Sequence, residues 1–99
     1  GEQESASTWK NLHGNLSAGT QLKIGPGILK SLTFNNAAAT GSGISLYDGI
    51  GVTNSPIALT TISSNNQTPF ALMYNLNFYN GLYAVTSTTV TNDFTVIWE

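Results

Sequence analysis

Apolar and small polar residues alternate along nearly the whole chain from Leu22 to Glu99, and clusters of Gly, Pro, Asn and Ser interrupt the alternation. A period of two, broken by turn residues about every eight to twelve positions, is the pattern of short strands in a β-sandwich or small barrel. Leu29, Leu32 and Phe34 mark one apolar run, and Ile44, Leu46 and Tyr47 the next. Longer runs cover 71–79 and 94–98. The spacing predicts strands over 8–13, 20–24, 28–35, 44–48, 57–62, 70–79, 82–88 and 94–98.

The punctuation between these runs predicts how they connect. Trp9 and Leu12 are the apolar anchors available to the first strand. Gly25-Pro26-Gly27 separates the second from the third, since proline cannot donate to a ladder and glycine permits positive φ. Asn36 to Gly43 is a small-residue stretch. Its three alanines are too few to nucleate a helix, so a hairpin connection is expected there. Alternation within 57–62 places Ile57, Leu59 and Thr61 on one face. Asn80-Gly81 has the composition of a two-residue type I′ hairpin, so 82–88 is expected to run back along 70–79. The run 94–98 then closes the sheet. Seven or eight strands give an all-β fold, an antiparallel two-sheet sandwich. The Cys…Trp…Cys hallmark of immunoglobulin domains is absent, so a jelly-roll-like arrangement is preferred. Residues 1–7 form a polar stretch without apolar anchors, expected to be a flexible N-terminal arm, and 8–99 a single domain.

Composition narrows the function. Charged residues make up 8% of the 99, against about 25% in typical globular domains. Ser, Thr and Asn supply the polarity at about a third of the chain. Such a surface suits a protein that is extracellular or covered in an assembly. Lys10, Lys23 and Lys30 are the only cations besides His13 and the N-terminus, which disfavours nucleic acid as a partner. There is no cysteine, hence no disulfide or thiolate metal site. No apolar stretch approaches the roughly 20 residues of a membrane-spanning helix, so no membrane partner is expected. The acidic, polar start Gly1–Ser7 does not have the character of a signal peptide.

Catalytic material is thin, and no enzyme is expected. His13 is the sole histidine, with Asp48 or Asp93 as its possible orienters, and no Gly-x-Ser-x-Gly elbow occurs. Asp48 and Asp93 are the carboxylates outside the termini, and each adjoins turn residues where aspartate commonly bonds its own backbone. They offer no clear glycosidase pair. A calcium site would need Asp48, Asn54 and carbonyls of 49–55, without the usual paired carboxylates. No cofactor is expected. Glycan binding has better material, because Trp9, Tyr47, Tyr74, Tyr79, Tyr83 and Trp98 offer ring faces beside Asn and Asp loops. Tyr47, Asp48 and Asn54 are the candidate glycan contacts. Trp98 shares its parity with Phe94 and Val96, which favours core over platform.

Gly27-Ile-Leu-Lys-Ser-Leu-Thr-Phe-Asn35, Gly43-Ile-Ser-Leu-Tyr-Asp-Gly49, Ser55-Pro-Ile57, Phe78-Tyr-Asn-Gly-Leu-Tyr-Ala84 and Thr95-Val-Ile-Trp-Glu99 follow one another in an order that resembles the small β-sandwich virion proteins of tailed bacteriophages. These are the head decoration, fibre and accessory structural proteins. The resemblance implies a non-enzymatic structural protein on the outer surface of the virion, a homo-oligomer and most often a trimer. The chain has no shaft, and its size fits a capsid decoration or cement subunit better than a whole fibre. The major capsid protein or another virion protein would be its partner, and Glu2, Glu4, Trp9 and Lys10 the candidate contacts. A carbohydrate- or receptor-binding module, extracellular and of fibre-tip or adhesin type, is the alternative.

Overall fold

The computed structural model describes residues 7–14, 18–35, 43–59, 70–86 and 92–99, and every regular element within them is a strand. In chain order these are β1 (Thr8–Gly14), β2 (Thr20–Ile24), β3 (Gly27–Phe34), β4 (Ile44–Asp48), β5 (Pro56–Leu59), β6 (Phe70–Phe78), β7 (Gly81–Thr86) and β8 (Asn92–Trp98). They pair antiparallel from the outside in: β1 with β8, β2 with β7, β3 with β6, β4 with β5. The whole is one long ribbon folded on itself. Further pairing of β8 with β3 and of β7 with β4 rolls that ribbon into two four-stranded sheets. Their orders are β1-β8-β3-β6 and β2-β7-β4-β5. The fold is therefore the expected antiparallel sandwich of jelly-roll type, with eight strands.

Alternation puts one side chain in two between the sheets. Leu12, Phe94, Val96, Trp98, Leu29, Leu32, Phe34 and Phe78 come from the first sheet, and Ile44, Leu46, Leu82 and Ala84 from the second. All are buried in a single core, against which Leu22, Ile57, Leu72 and Tyr74 pack. Each fully buried side chain of this size stabilises the fold by about 1.5–3 kcal/mol. Phe34 and Phe94 are register partners whose rings meet edge to face, centroids 4.7 Å apart at 86°.

One irregularity explains the imperfect alternation of β3. Between Leu29 and Ser31, β3 advances two residues while β8 advances one (Trp98 to Ile97) and β6 three (Leu76 to Met73). This bulge resets the side-chain parity of β3. Leu29 and Leu32, an odd number of positions apart, are both fully buried as a result.

Several sequence expectations are corrected. Asn80-Gly81 is not a type I′ hairpin, because neither residue has positive φ and β6 and β7 lie in different sheets. Phe78 ends on the core face of one sheet and Leu82 begins on that of the other, and their burial draws the chain across the sandwich. The last strand does not close a sheet, since β8 lies between β1 and β3. Trp9 is no anchor: it is 68% exposed while Leu12 is buried, because residues three apart on a strand face opposite ways. Ile57 and Leu59 do not share a face either. A register shift opposite Leu46 and Tyr47 turns Ile57 toward the core and leaves Leu59 exposed. The stretch read as a hairpin at 36–43 lies, except for Gly43, outside the described residues; the strands on either side of it, β3 and β4, belong to different sheets.

Candidate functional site

Three connections meet at one end of the sandwich: β2–β3 at Gly25 and Pro26, β4–β5 at 49–55, and β6–β7 at Tyr79 and Asn80. Direct backbone hydrogen bonds join them. The Gly25 N–H donates to the Asn80 carbonyl at 3.0 Å and the Gly49 N–H to the Gly81 carbonyl at 3.1 Å. Gly81 is needed here for space, since a Cβ would lie 2.7 Å from the Gly49 carbonyl and 2.9 Å from that of Lys23. Gly25 and Gly51 are needed for conformation, with φ of 96° and 76°.

Two side chains staple this pole. Asp48 closes β4 with the parity of Leu46, so its carboxylate points inward at the strand end. It accepts the N–H groups of Tyr79 at 2.9 Å, Asn80 at 2.8 Å and Gly81 at 3.3 Å. Its burial acts to raise its pKa, but the three backbone bonds outweigh that and hold it below the usual 3.8. Gln21 works from β2. Its amide nitrogen donates to the carbonyls of Lys23, Gly49 and Leu82, and its oxygen accepts from the Gly51 N–H at 3.0 Å. The 49–55 loop is closed at its base by Asp48 N–H to the Ser55 carbonyl, 2.9 Å, and by Thr53 Oγ1 donating to the Asp48 carbonyl.

On this rigid base stand Ile24, Ile50, Val52 and Tyr79, all well exposed. Apolar side chains held out on fixed loops are suited to contact another surface. The start of β1 lies at the same end, where Thr8 is the register partner of Trp98 and Glu99 exchanges backbone bonds with Ile28.

The candidate contacts from the sequence distribute as follows. Trp9 stands on the outer face of the first sheet in a row with Ile97, Ser31 and Met73. Lys10 is exposed opposite Val96 on the edge strand β1, where an inward-turned charge discourages pairing with foreign strands. Glu2 and Glu4, with the rest of residues 1–6 of the arm, lie outside the described residues. Tyr47 pairs with Tyr83 on the outer face of the second sheet, and the Tyr83 hydroxyl donates to the Ala18 carbonyl. Tyr47 and Asp48 thus leave β4 on opposite sides, and the Asp48 carboxylate is already engaged. Asn54 is exposed on the loop between them and β5. Of the remaining aromatics, Trp98 belongs to the core, Tyr74 packs against it, and Tyr79 is exposed at the pole.

His13 does approach one of its possible orienters. His13 and Asp93 are register partners, with Asn11 bridging them. The Asn11 amide donates to Asp93 Oδ1 at 2.7 Å and to the Phe94 carbonyl at 3.0 Å, so its oxygen is the acceptor for His13 Nδ1 at 2.9 Å. Asn35 donates to the same Asp93 oxygen and to Thr95 Oγ1. The arrangement clips β1, β8 and the end of β3 together. Asp93 therefore bonds across strands. Among the described residues, no three of His, Cys, Asp and Glu gather as a metal site.

Gln21 and the pole itself escaped sequence reasoning. The available signal was Gly49-Ile-Gly-Val52, where bulky aliphatic residues sit between glycines in a turn that cannot bury them. No protein-family model and no curated protein matches the chain.

Proposed function

We propose that this chain is a non-enzymatic virion structural protein of a bacteriophage, a capsid decoration or cement subunit that self-associates and stabilises the shell. One observation carries the reading: exposed apolar side chains are gathered on a stapled loop pole of a charge-poor jelly roll. The carboxylates that chemistry would require, Asp48 and Asp93, are engaged in bonds that hold backbone and strands in place.

The mechanism is mechanical. Each subunit buries one surface against copies of itself, in a homotrimer, and presents another to the major capsid protein on the outer surface of the particle. Burial contributes about 25 cal/mol per Å2 of apolar area. Repetition over symmetry-related contacts turns modest individual affinities into resistance to shell expansion. Residues 1–7, continuing into Trp9 and Lys10, serve as the attachment arm. Co-sedimentation with bacteriophage heads stripped of accessory proteins tests this. Saturable binding that weakens when residues 1–7 are deleted is expected; wild-type chain left in the supernatant at every concentration contradicts it.

A second reading, a glycan- or receptor-binding module, is favoured by Tyr79, whose ring is exposed beside Asn80 on the pole that also carries Asn54. Saturable binding on a glycan array, abolished by Tyr79→Ala, would select it.

A further inference from the structure

We propose that the loop pole is the surface through which copies of this chain bind one another. The inference rests on the reading of the chain as a self-associating subunit and names where that association occurs. Ile24, Ile50, Val52 and Tyr79 carry it, at 74%, 60%, 64% and 67% exposure. Among the described residues, the other exposed large apolar side chains lie on strands: Trp9 and Met73 in the outer row of the first sheet, Leu59 on β5 and Leu76 on β6.

Charge identifies the occupant. The segments 24–27, 49–55 and 79–81 contain no charged residue. Asp48 behind them is bonded to three N–H groups, Glu99 beside them pairs with Lys30 at 3.8 Å, and Lys23 stands at the rim. Contacts about a symmetry axis bring like residues together, so a charged patch repels its own copy. An uncharged apolar patch carries no such penalty. An anionic or cationic partner would instead require the opposite sign here, and these segments supply neither.

Desolvation and area agree with this. Backbone groups of Gly25, Gly49, Gly51, Tyr79, Asn80 and Gly81 are already bonded within the pole, so excluding water there leaves those donors satisfied. The loops are stapled before contact, which lowers the ordering cost of association. Four side chains at these exposures present roughly 500 Å2 per copy, so complete burial on two facing copies reaches at most about 1,000 Å2, the threshold for a specific protein contact.

The test is the mass of the full-length chain by sedimentation velocity over a dilution series, with thermal melts as the check on folding. An Ile50→Ser/Val52→Ser variant and a separate Tyr79→Ser variant should melt cooperatively and dissociate at concentrations at least tenfold higher than wild type. Met73→Ser, on β6, should keep the wild-type mass. Because the chain has no cysteine, Val52→Cys provides a readout independent of folding losses: oxidation should link copies through Cys at this position, and Met73→Cys should leave them unlinked. Pole variants that retain the wild-type mass at every concentration, or crosslinking through Met73→Cys instead, would overturn the proposal. So would a wild type that is monomeric throughout. A monomer that still sediments with stripped heads would overturn self-association, at the pole or elsewhere, and leave only the attachment to heads standing.

Discussion

The Asp48 carboxylate accepts the backbone N–H of Asn80 at 2.8 Å across 32 residues of sequence. It thereby ties the end of β4, central in the second sheet, to the corner where the chain leaves the first. Asp48→Ala returns three N–H donors at that corner to water and should destabilise the fold by about 0.5–1.5 kcal/mol. Asn80→Ala removes no backbone bond and should stay within about 0.5 kcal/mol of wild type. Denaturant melts of the two variants measure the contrast. Equal losses would mean that the Asn80 side chain holds the turn as much as the carboxylate does.

The same bonds predict a pH dependence. Asp48 has a lowered pKa in the folded chain, so the unfolded chain takes up its proton first as pH falls. Its stabilising contribution is complete above the unfolded value of about 3.9 and is lost as pH drops through the folded value. Stability measured from pH 6 downward should therefore converge for wild type and Asp48→Ala in strongly acidic solution. A gap that stays constant to the lowest pH at which both fold contradicts the assignment.

Gly81→Ala tests why a glycine follows Asn80. An added Cβ meets two backbone carbonyls and Gln21 Nε2 at 2.7–3.0 Å, so about 1–3 kcal/mol should be lost through crowding. Gly81 does not have positive φ, so the loss comes from space and not from backbone conformation. Denaturant melts measure it, and a Gly81→Ala variant as stable as wild type contradicts the crowding.

Phe34 and Phe94 provide a test of the core. A double-mutant cycle with leucine at each position should give a coupling of about 0.5–1.5 kcal/mol for the edge-to-face pair. Strictly additive losses would show that the rings act only through the area they bury.

Sequence legibility followed the range of the signal. Alternation is local, so the eight strands and the core positions of Phe94, Val96 and Trp98 could be read directly. Pairing is not local. Asn80-Gly81 has hairpin composition, yet Phe78 and Leu82 are buried on different sheets, and tertiary burial overrides the turn preference. Bulges also defeat parity counting, as at Leu29 and Leu32 or at Ile57. Asp48 was legible as a turn aspartate beside Gly49, but the turn it holds lies 31 to 33 residues away. The Gln21 bonds leave no sequence trace, because nothing along the chain marks which loops become neighbours.

Self-association is the claim on which the functional account depends, and the solution mass of the wild-type chain addresses it most directly. Light scattering from micromolar to nanomolar concentration should give a multiple of the 10.5 kDa chain mass, with a trimer persisting on dilution. A mass of one chain at every concentration would contradict the account.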